Sequence, residues 1–350
     1  MITLPPQPRF LIIQTAFIGD VILSTALLEQ LHQALPNAWI DMLVRKGNES
    51  LLAGHPFLNE LLIWDKKGTG GALAKYGNLR RLLTIIRASQ YTAVLNLQRH
   101  GATGLLTAFS KATITVGFDV NPFASFFTHQ IPYRFAPGLH EIDRNTDLLL
   151  PLGIPPSEKI TRPKLYPSLS DYGHVRSLQQ VPYVCIAPTS VWFTKQFPAD
   201  GWIDLIRTLP NDLTVYLLGA PADAAVCERI VQESGRRKVQ NLAGKLSLLQ
   251  SAALLQRANM NYMNDSAPLH LCSAMNAPTT AVFCSTVPEF GFGPLADGAV
   301  TVQSSEPLDC KPCGLHGKKA CPLGHFRCAT TIPIDVLADR VEMRTHAHPA

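Results

Sequence analysis

At 350 residues the chain is longer than one ordinary hydrophobic core organises, and it suits two domains. Hydrophobic residues make up 46% and charged ones 16%, which excludes an intrinsically disordered chain. The formal charge of +5 lies wholly in the first half: residues 1–170 hold 16 Lys and Arg against 11 Asp and Glu, while 171–350 hold 15 of each. Such an excess suggests an anionic partner for the first half, but it is modest, so dispersed solvated charge is the first reading and no nucleic acid is expected. No apolar run approaches the roughly 18–20 residues of a membrane span. The N-terminus shows no basic segment followed by an apolar stretch and a small-residue cleavage site. Cys185, Cys227, Cys272 and Cys284 fall in apolar patterns and read as buried small hydrophobes. A cytoplasmic location is expected.

Taken in chain order, Phe10–Gln14 is apolar on both faces, as a parallel strand covered by helices should be. Leu23, Leu27, Leu31 and Leu35 then repeat at i, i+4 spacing and predict an amphipathic helix. Gly19-Asp20 falls between the two. That places the Asp20 carboxylate in a loop at the carboxyl end of a parallel strand, where open α/β sheets bind ligands. Asp is also a good helix N-cap, and this segment alone leaves both roles open. Strands are expected at Ala38–Val44, Glu60–Trp64 and Ala93–Leu97, with helical patterns between them such as Leu79–Ala88. The alternation predicts a parallel, doubly wound sheet. Pro151, Pro155, Pro156, Pro163 and Pro167 mark a boundary between domains of 1–165 and 166–350.

The pattern then restarts, with strands expected at Tyr183–Ala187, Val215–Leu218, Met260–Met263 and Thr280–Phe283. Helices are expected at Gly201–Leu209, Ala222–Glu233 and Leu248–Ala258, with another opening near Pro268. Two sequential Rossmann-like halves leave a cleft, with ligands at the carboxyl ends of the strands. The loops to read are Thr15–Asp20, Gln98–Gly101, Pro188–Lys195 and Asn264–His270. None carries Gly-x-Gly-x-x-Gly, and no P-loop is present.

Pro188-Thr189-Ser190 and Lys195 combine hydroxyls, backbone N–H groups and an ammonium, a pocket suited to a diphosphate. In Asn264–His270, Pro268 suits the first helical position and Ser266 suits a cap, so a helix amino end is expected there. Such an end favours phosphate oxygens, although plain helix initiation accounts for the same residues. Cys310, Cys313, Cys321 and Cys328 are spaced Cys-x₂-Cys-x₇-Cys-x₆-Cys, with His316 and His325 interleaved. In a cytosolic protein this suggests metal before disulfides. The gaps nevertheless depart from paired zinc-ribbon spacing, so reduced, packed thiols are the first reading and a structural metal the second.

Set together, these segments resemble glycosyltransferase family 9, the ADP-heptose:lipopolysaccharide heptosyltransferases. The marks are Thr15–Thr25, Pro188-Thr-Ser190 with Lys195–Pro198, Asn241–Gly244, Asn264–His270, and His140–Gly153 leading to the linker. The resemblance implies the GT-B architecture, two facing Rossmann-like domains. The acceptor domain is amino-terminal, and the sugar-nucleotide donor domain is carboxy-terminal with a Cys-rich tail at 310–328. It implies that Asp20 is the catalytic base and that Lys195, Thr189 and Ser190 contact the donor diphosphate. Asp265, Ser266 and His270 match the donor-binding loop, where Ala267 stands in place of the family's usual Gly.

Arg99, His100 and Arg45 follow expected strands and reach the rim, where an anionic acceptor would meet them. Arg80 and Arg81 read as a solvated helix face. Asn121–Phe135 reads as a loop packed on the core, with contact to a membrane surface as the alternative. The implied reaction is inverting transfer of a heptose from ADP-heptose to the lipopolysaccharide core. It needs no cofactor or divalent metal, and it takes place at the cytoplasmic face of the inner membrane. Two alternatives stay open: a GT-B transferase or epimerase using another nucleotide sugar, and a non-catalytic sugar-nucleotide or metal-binding protein of this fold.

Overall fold

The computed structural model describes residues 4–66, 71–158 and 162–341. The chain divides into two compact units, Met1–Tyr166 and Pro167–Ala350. In the first unit β1 (Arg9–Ile13), α1 (Ile18–Ala34), β2 (Trp39–Arg45), β3 (Glu60–Trp64) and α2 (Ala72–Ala88) follow one another. Then come β4 (Ala93–Asn96), α3 (Gly101–Ala108), β5 (Ile114–Phe118), β6 (His129–Ile131) and α4 (Glu141–Thr146). The strands pair in the order β3-β2-β1-β4-β5-β6, all parallel. Phe10, Leu11, Ile12 and Ile13 are fully buried, as helices on both faces require. Ile13 lies beside Leu43 on one side and Asn96 on the other. The loop after β1 therefore opens where the strand order reverses, the usual ligand crevice of such sheets.

The i, i+4 pattern predicts an amphipathic α1, yet every residue from Val21 to Leu31 is buried. The proline-rich passage accounts for the difference, because it lies across the helix face that the pattern leaves polar. Gln30 Nε2 donates to the Pro155 carbonyl at 2.6 Å, and the Lys164 N–H donates to Thr25 Oγ1 at 2.9 Å. Tyr166 Oη donates to Glu29 Oε1 at 2.6 Å, and Lys164 Nζ lies 3.3 Å from Glu29 Oε2. His55 Nε2 is 3.7 Å from the same carboxylate. Burial, reinforced by nearby His32, pushes His55 down to about 4. At neutral pH it faces Glu29 as a neutral ring, and Lys164 is the compensating charge.

The second unit comprises α5 (Leu169–Val175), β7 (Tyr183–Ala187), α6 (Ala199–Thr208), β8 (Thr214–Leu217), α7 (Ala224–Ser234) and β9 (Val239–Asn241). After these come α8 (Leu248–Gln256), β10 (Met260–Asn264), α9 (Ala267–Ala274), β11 (Thr279–Phe283), β12 (Val300–Gln303), α10 (Arg327–Thr330) and α11 (Ile334–Ala338). Its parallel order is β12-β11-β10-β7-β8-β9, which sets β7 at the reversal between β10 and β8. Among the described residues of this unit Trp202, Tyr183 and Tyr262 are the bulkiest fully buried side chains. Among the described residues no helix is long and apolar enough to cross a membrane.

Replacing Tyr166 with Phe strips a buried carboxylate oxygen of its hydroxyl donor. Urea denaturation of Tyr166→Phe should show about 1–3 kcal/mol less stability than the parent chain. A change near zero would mean that the clasp across α1 adds nothing.

Candidate active site

In the first unit the rim of the sheet gathers cations around Asp20 and Glu141. Asp20 is neither in the loop nor the N-cap. It is the third residue of α1, Phe17 is the N-cap, and Asp20 Oδ2 accepts the Phe17 N–H at 3.1 Å. An acid at this position reaches back over the helix end, where free N–H groups favour negative charge. Arg99 follows β4, is exposed, and lies 4.4 Å over the Tyr133 ring. Arg144 approaches the same ring at 5.7 Å and holds Glu141 at 2.8 Å. Burial raises the Glu141 carboxyl, Arg144 opposes that, and the charge of Asp20 adds a smaller upward push. Asp20 thus belongs to one electrostatic group with Glu141, Tyr133, Arg99 and Arg144. Sequence reading does not single out Tyr133 or Arg144 for this role, because only the fold brings them together.

Arg45 ends β2 with its guanidinium 5.2 Å over Phe17. Lys46 pairs instead with Asp65 at 2.9 Å, which neutralises it. Lys66, two residues past β3, turns inward: Nζ donates to Thr15 Oγ1 at 2.8 Å and to the Thr15 carbonyl at 3.1 Å. Among the described residues it has no carboxylate at ion-pair distance. Burial, aided by the Arg45 charge, lowers it to about 8. Lys66 and His100 line a cavity of about 350 Å³ with Trp64, Tyr76 and Thr103.

In the second unit Lys195 closes a short turn, Phe193–Lys195, in the loop after β7. Its Nζ lies 2.6 Å from Asp265 Oδ2, which also accepts Thr286 Oγ1 at 2.6 Å. The Asp265 side chain is 6% exposed and that of Lys195 15%, so the pair is largely desolvated and its geometry must be held. Neighbouring bonds hold it. Thr194 Oγ1 accepts from Ser285 Oγ at 2.9 Å and from the Lys318 N–H at 2.8 Å. The Phe197 N–H donates to Asn264 Oδ1 at 2.9 Å, and Gln196 Nε2 donates to the Ser190 carbonyl at 2.6 Å. Thr189 and Ser190 are half-buried in this loop.

Two expectations about α9 need correction. Pro268 is its second residue, Ala267 being the first, and Ser266 makes no side-chain cap. The Ser266 hydroxyl instead lies 3.4 Å from the Asn264 carbonyl. His270 is 5% exposed within α9, facing Phe292 edge-on at 6.4 Å.

The Cys-rich segment packs against the Lys195 loop. The Cys313 N–H donates to the Ser285 carbonyl at 2.8 Å, and Lys311 Nζ donates to the Phe283 carbonyl at 3.0 Å. Gly317, at φ 74°, lies so close that a Cβ there would meet Lys195 Cγ at 2.8 Å. All the cysteines are free thiols. Cys310 Sγ is 3.9 Å from His325 Nε2, Cys313 Sγ donates to the Cys310 carbonyl, and Cys328 is buried. Among the described residues no three Cys, His, Asp or Glu side chains are grouped to hold a metal ion.

The profile described as glycosyltransferase family 9 (heptosyltransferase) matches residues 79–323. The chain is 28% identical over 285 residues to lipopolysaccharide heptosyltransferase 3 of Escherichia coli, covering 77% of this chain and 82% of that protein. A family 9 glycosyltransferase from Veillonella parvula superposes with a TM-score of 0.74 at 22% identity, over 84% of this chain and 85% of the other. Escherichia coli ADP-heptose lps heptosyltransferase II gives 0.72 at 20% identity, over 87% and 95%. At these identities the structural likeness shows the fold, which is the GT-B type expected from the sequence.

The Lys66 environment predicts an unusual titration. After reductive methylation, its NMR signal should titrate near 8, apart from the other lysines. Arg45→Gln should raise that midpoint only part of the way, because burial is the larger cause. The unfolded chain holds this proton up to about 10.5 while the folded chain releases it near 8. Stability relative to Lys66→Met should therefore rise with pH across that window. An ordinary lysine midpoint would refute the buried placement.

Proposed function

Because the chain belongs to glycosyltransferase family 9, we propose that it transfers a heptose from ADP-heptose to the lipopolysaccharide inner core, with inversion. The family match over residues 79–323 is the observation that carries this reading. The names of relatives supply the substrates: one is a lipopolysaccharide heptosyltransferase, and a solved one is an ADP-heptose lps heptosyltransferase.

In this reading the first unit takes the acceptor and the second the donor. The acceptor hydroxyl oxygen attacks the anomeric carbon while the Asp20 carboxylate accepts its proton. The bond from that carbon to the diphosphate breaks, and ADP leaves with the electron pair. General-base help of this kind is typically worth ~10²–10⁴-fold. Lys195 and the amino end of α9 at Ser266 and Ala267 meet the charge growing on the diphosphate, with Thr189 and Ser190 beside them. Preorganised charge of that sort is usually the larger contribution. Asp265 would repel a diphosphate, so its part is to hold Lys195 in place. His270, buried one turn into α9, supports that helix end.

Arg99, His100 and Arg45 contact the anionic acceptor. Lys66 joins them, because its neighbours are oxygens of Thr15 rather than a carboxylate and a ligand anion would complete its surroundings. The enzyme works on a lipid-linked acceptor from the cytoplasmic side, in peripheral contact with the inner membrane.

Asp20→Asn should lose ~10²–10⁴-fold in kcat while binding ADP like the parent chain. Calorimetry would follow the binding, and mass spectrometry of a truncated core acceptor would follow the transfer. Lys195→Met should weaken ADP binding and lose ~10²–10³-fold in kcat. Normal transfer by Asp20→Asn would remove the base assignment. Tighter binding of UDP than ADP would instead favour a different nucleotide sugar, the reading that Ala267 keeps open.

A further inference from the structure

The first unit displays an aromatic feature that the proposed chemistry does not use. Phe109, just past α3, and Phe123 and Phe126, between β5 and β6, form a triangle. Their ring centroids are 6.4, 6.2 and 6.1 Å apart. A core would bury such a cluster, but Phe109 is 43% and Phe126 62% exposed, and Val120 is 53% exposed. Only part of the segment packs inward as expected: Phe127 is buried against Gly117, where a Cβ would meet its ring at 2.5 Å. The polypeptide uses one phenylalanine to anchor the loop and presents others to solvent. Mutually touching exposed rings of this kind mark an interaction surface.

On the α2 and α3 side of the cluster the charged side chains are cations. Arg87, in the last turn of α2, donates Nε to the Phe109 carbonyl at 2.7 Å. Arg80 stands seven residues earlier on the same stripe of α2, and Lys111 follows Phe109 closely; all three are exposed. From Lys66 to Phe118 the sequence has eight Lys and Arg and no Asp or Glu. The next acid, Asp119, accepts the Tyr133 N–H. A second copy of this chain would bring like charge against like charge here. An anionic lipid surface supplies both what the rings need and what the cations need.

We propose that Phe109, Phe123 and Phe126, with Arg80, Arg87 and Lys111, form a docking patch for an anionic lipid bilayer. The rings enter the boundary between headgroups and acyl chains, and the cations meet lipid phosphates. This rests on the membrane contact of the proposed function and names the surface that makes it, while a bilayer alone tests it apart from the transfer chemistry.

The full chain would be sedimented with phosphatidylcholine vesicles, with and without phosphatidylglycerol, in the absence of nucleotide and sugar acceptor. Binding should require the anionic lipid and weaken as salt is added. The double variant Phe109→Ser, Phe126→Ser should lose at least about tenfold in partitioning. Arg80→Gln with Lys111→Gln should lose roughly fivefold per charge. Both variants should turn over a water-soluble truncated acceptor at the parent rate. Should the double serine variant fail to fold, Phe126→Trp replaces it, and its emission should shift to the blue and be quenched by brominated lipid. Equal partitioning of parent and serine variants, or Phe126→Trp emission that brominated lipid leaves unquenched, would overturn the proposal. So would a dimer, seen by analytical ultracentrifugation, that the serine changes abolish. A negative result here leaves the Asp20→Asn test untouched, and the reverse also holds.

Discussion

Twelve parallel strands, counted among the described residues, confine the chemistry of this chain to strand ends. A parallel strand packs side chains against helices on both faces and gives its backbone groups to its neighbours, so little along its length remains to meet a ligand. The carboxyl rim escapes that constraint. Chains leave the sheet there, and the following helices begin there with free N–H groups. In each sheet the order reverses beside the strand that opens it, β1 in one unit and β7 in the other. Asp20 and Lys195 therefore occupy comparable places, each on the segment that follows a reversal strand. The one is an acid fixed by a helix turn, the other a base fixed by a buried acid.

Buried carboxylates tie distant parts of each unit together. Glu29 binds the passage at Lys164 and Tyr166, and Asp41 takes Arg9 at 3.0 Å and the Tyr91 hydroxyl at 2.7 Å. Asp265 takes Lys195 and Thr286. Leaving such a charge without its partner costs several kcal/mol, so each pair fixes the segments that supply it. Lys66 is the contrasting case. Among the described residues its ammonium meets the oxygens of Thr15 and the Trp64 ring rather than a carboxylate, burial is the larger influence on it, and its proton is correspondingly loosened.

The strongly apolar strands are legible to the residue: Tyr183–Ala187 and Glu60–Trp64 are observed as read. The strands that escape reading have physical reasons. β6 and β9 are three-residue edges, β12 is a four-residue edge, and β5 carries Gly117, which weakens a strand signal while making room for Phe127. Asp20 reads as a loop residue because Gly19 resembles a breaker and Phe17 is a poor cap by type; both lie at the helix start, where such residues cost little. Thr286, Lys318 and Tyr133 are beyond reach for another reason. Each meets its partner across a long stretch of chain, and no local period records that.

At the amino end of α9 a local expectation fails, and the failure changes what the helix end leaves open. Among the described residues of the second unit three serines sit at N-cap positions. Ser168 accepts the Asp171 N–H and Ser247 accepts the Gln250 N–H, so α5 and α8 satisfy part of their own ends. Ser266 does not cap α9, and its hydroxyl turns towards the Asn264 carbonyl. A self-capped helix has fewer N–H groups to offer an anion than an uncapped one. Ala267 is the first residue of α9, and its φ lies outside the left-handed region. The alanine therefore strains no backbone, and its one consequence is a methyl group beside the helix end. In the proposed reading, that methyl acts on how closely a phosphate approaches, and the uncapped Ser266 turn is what receives it.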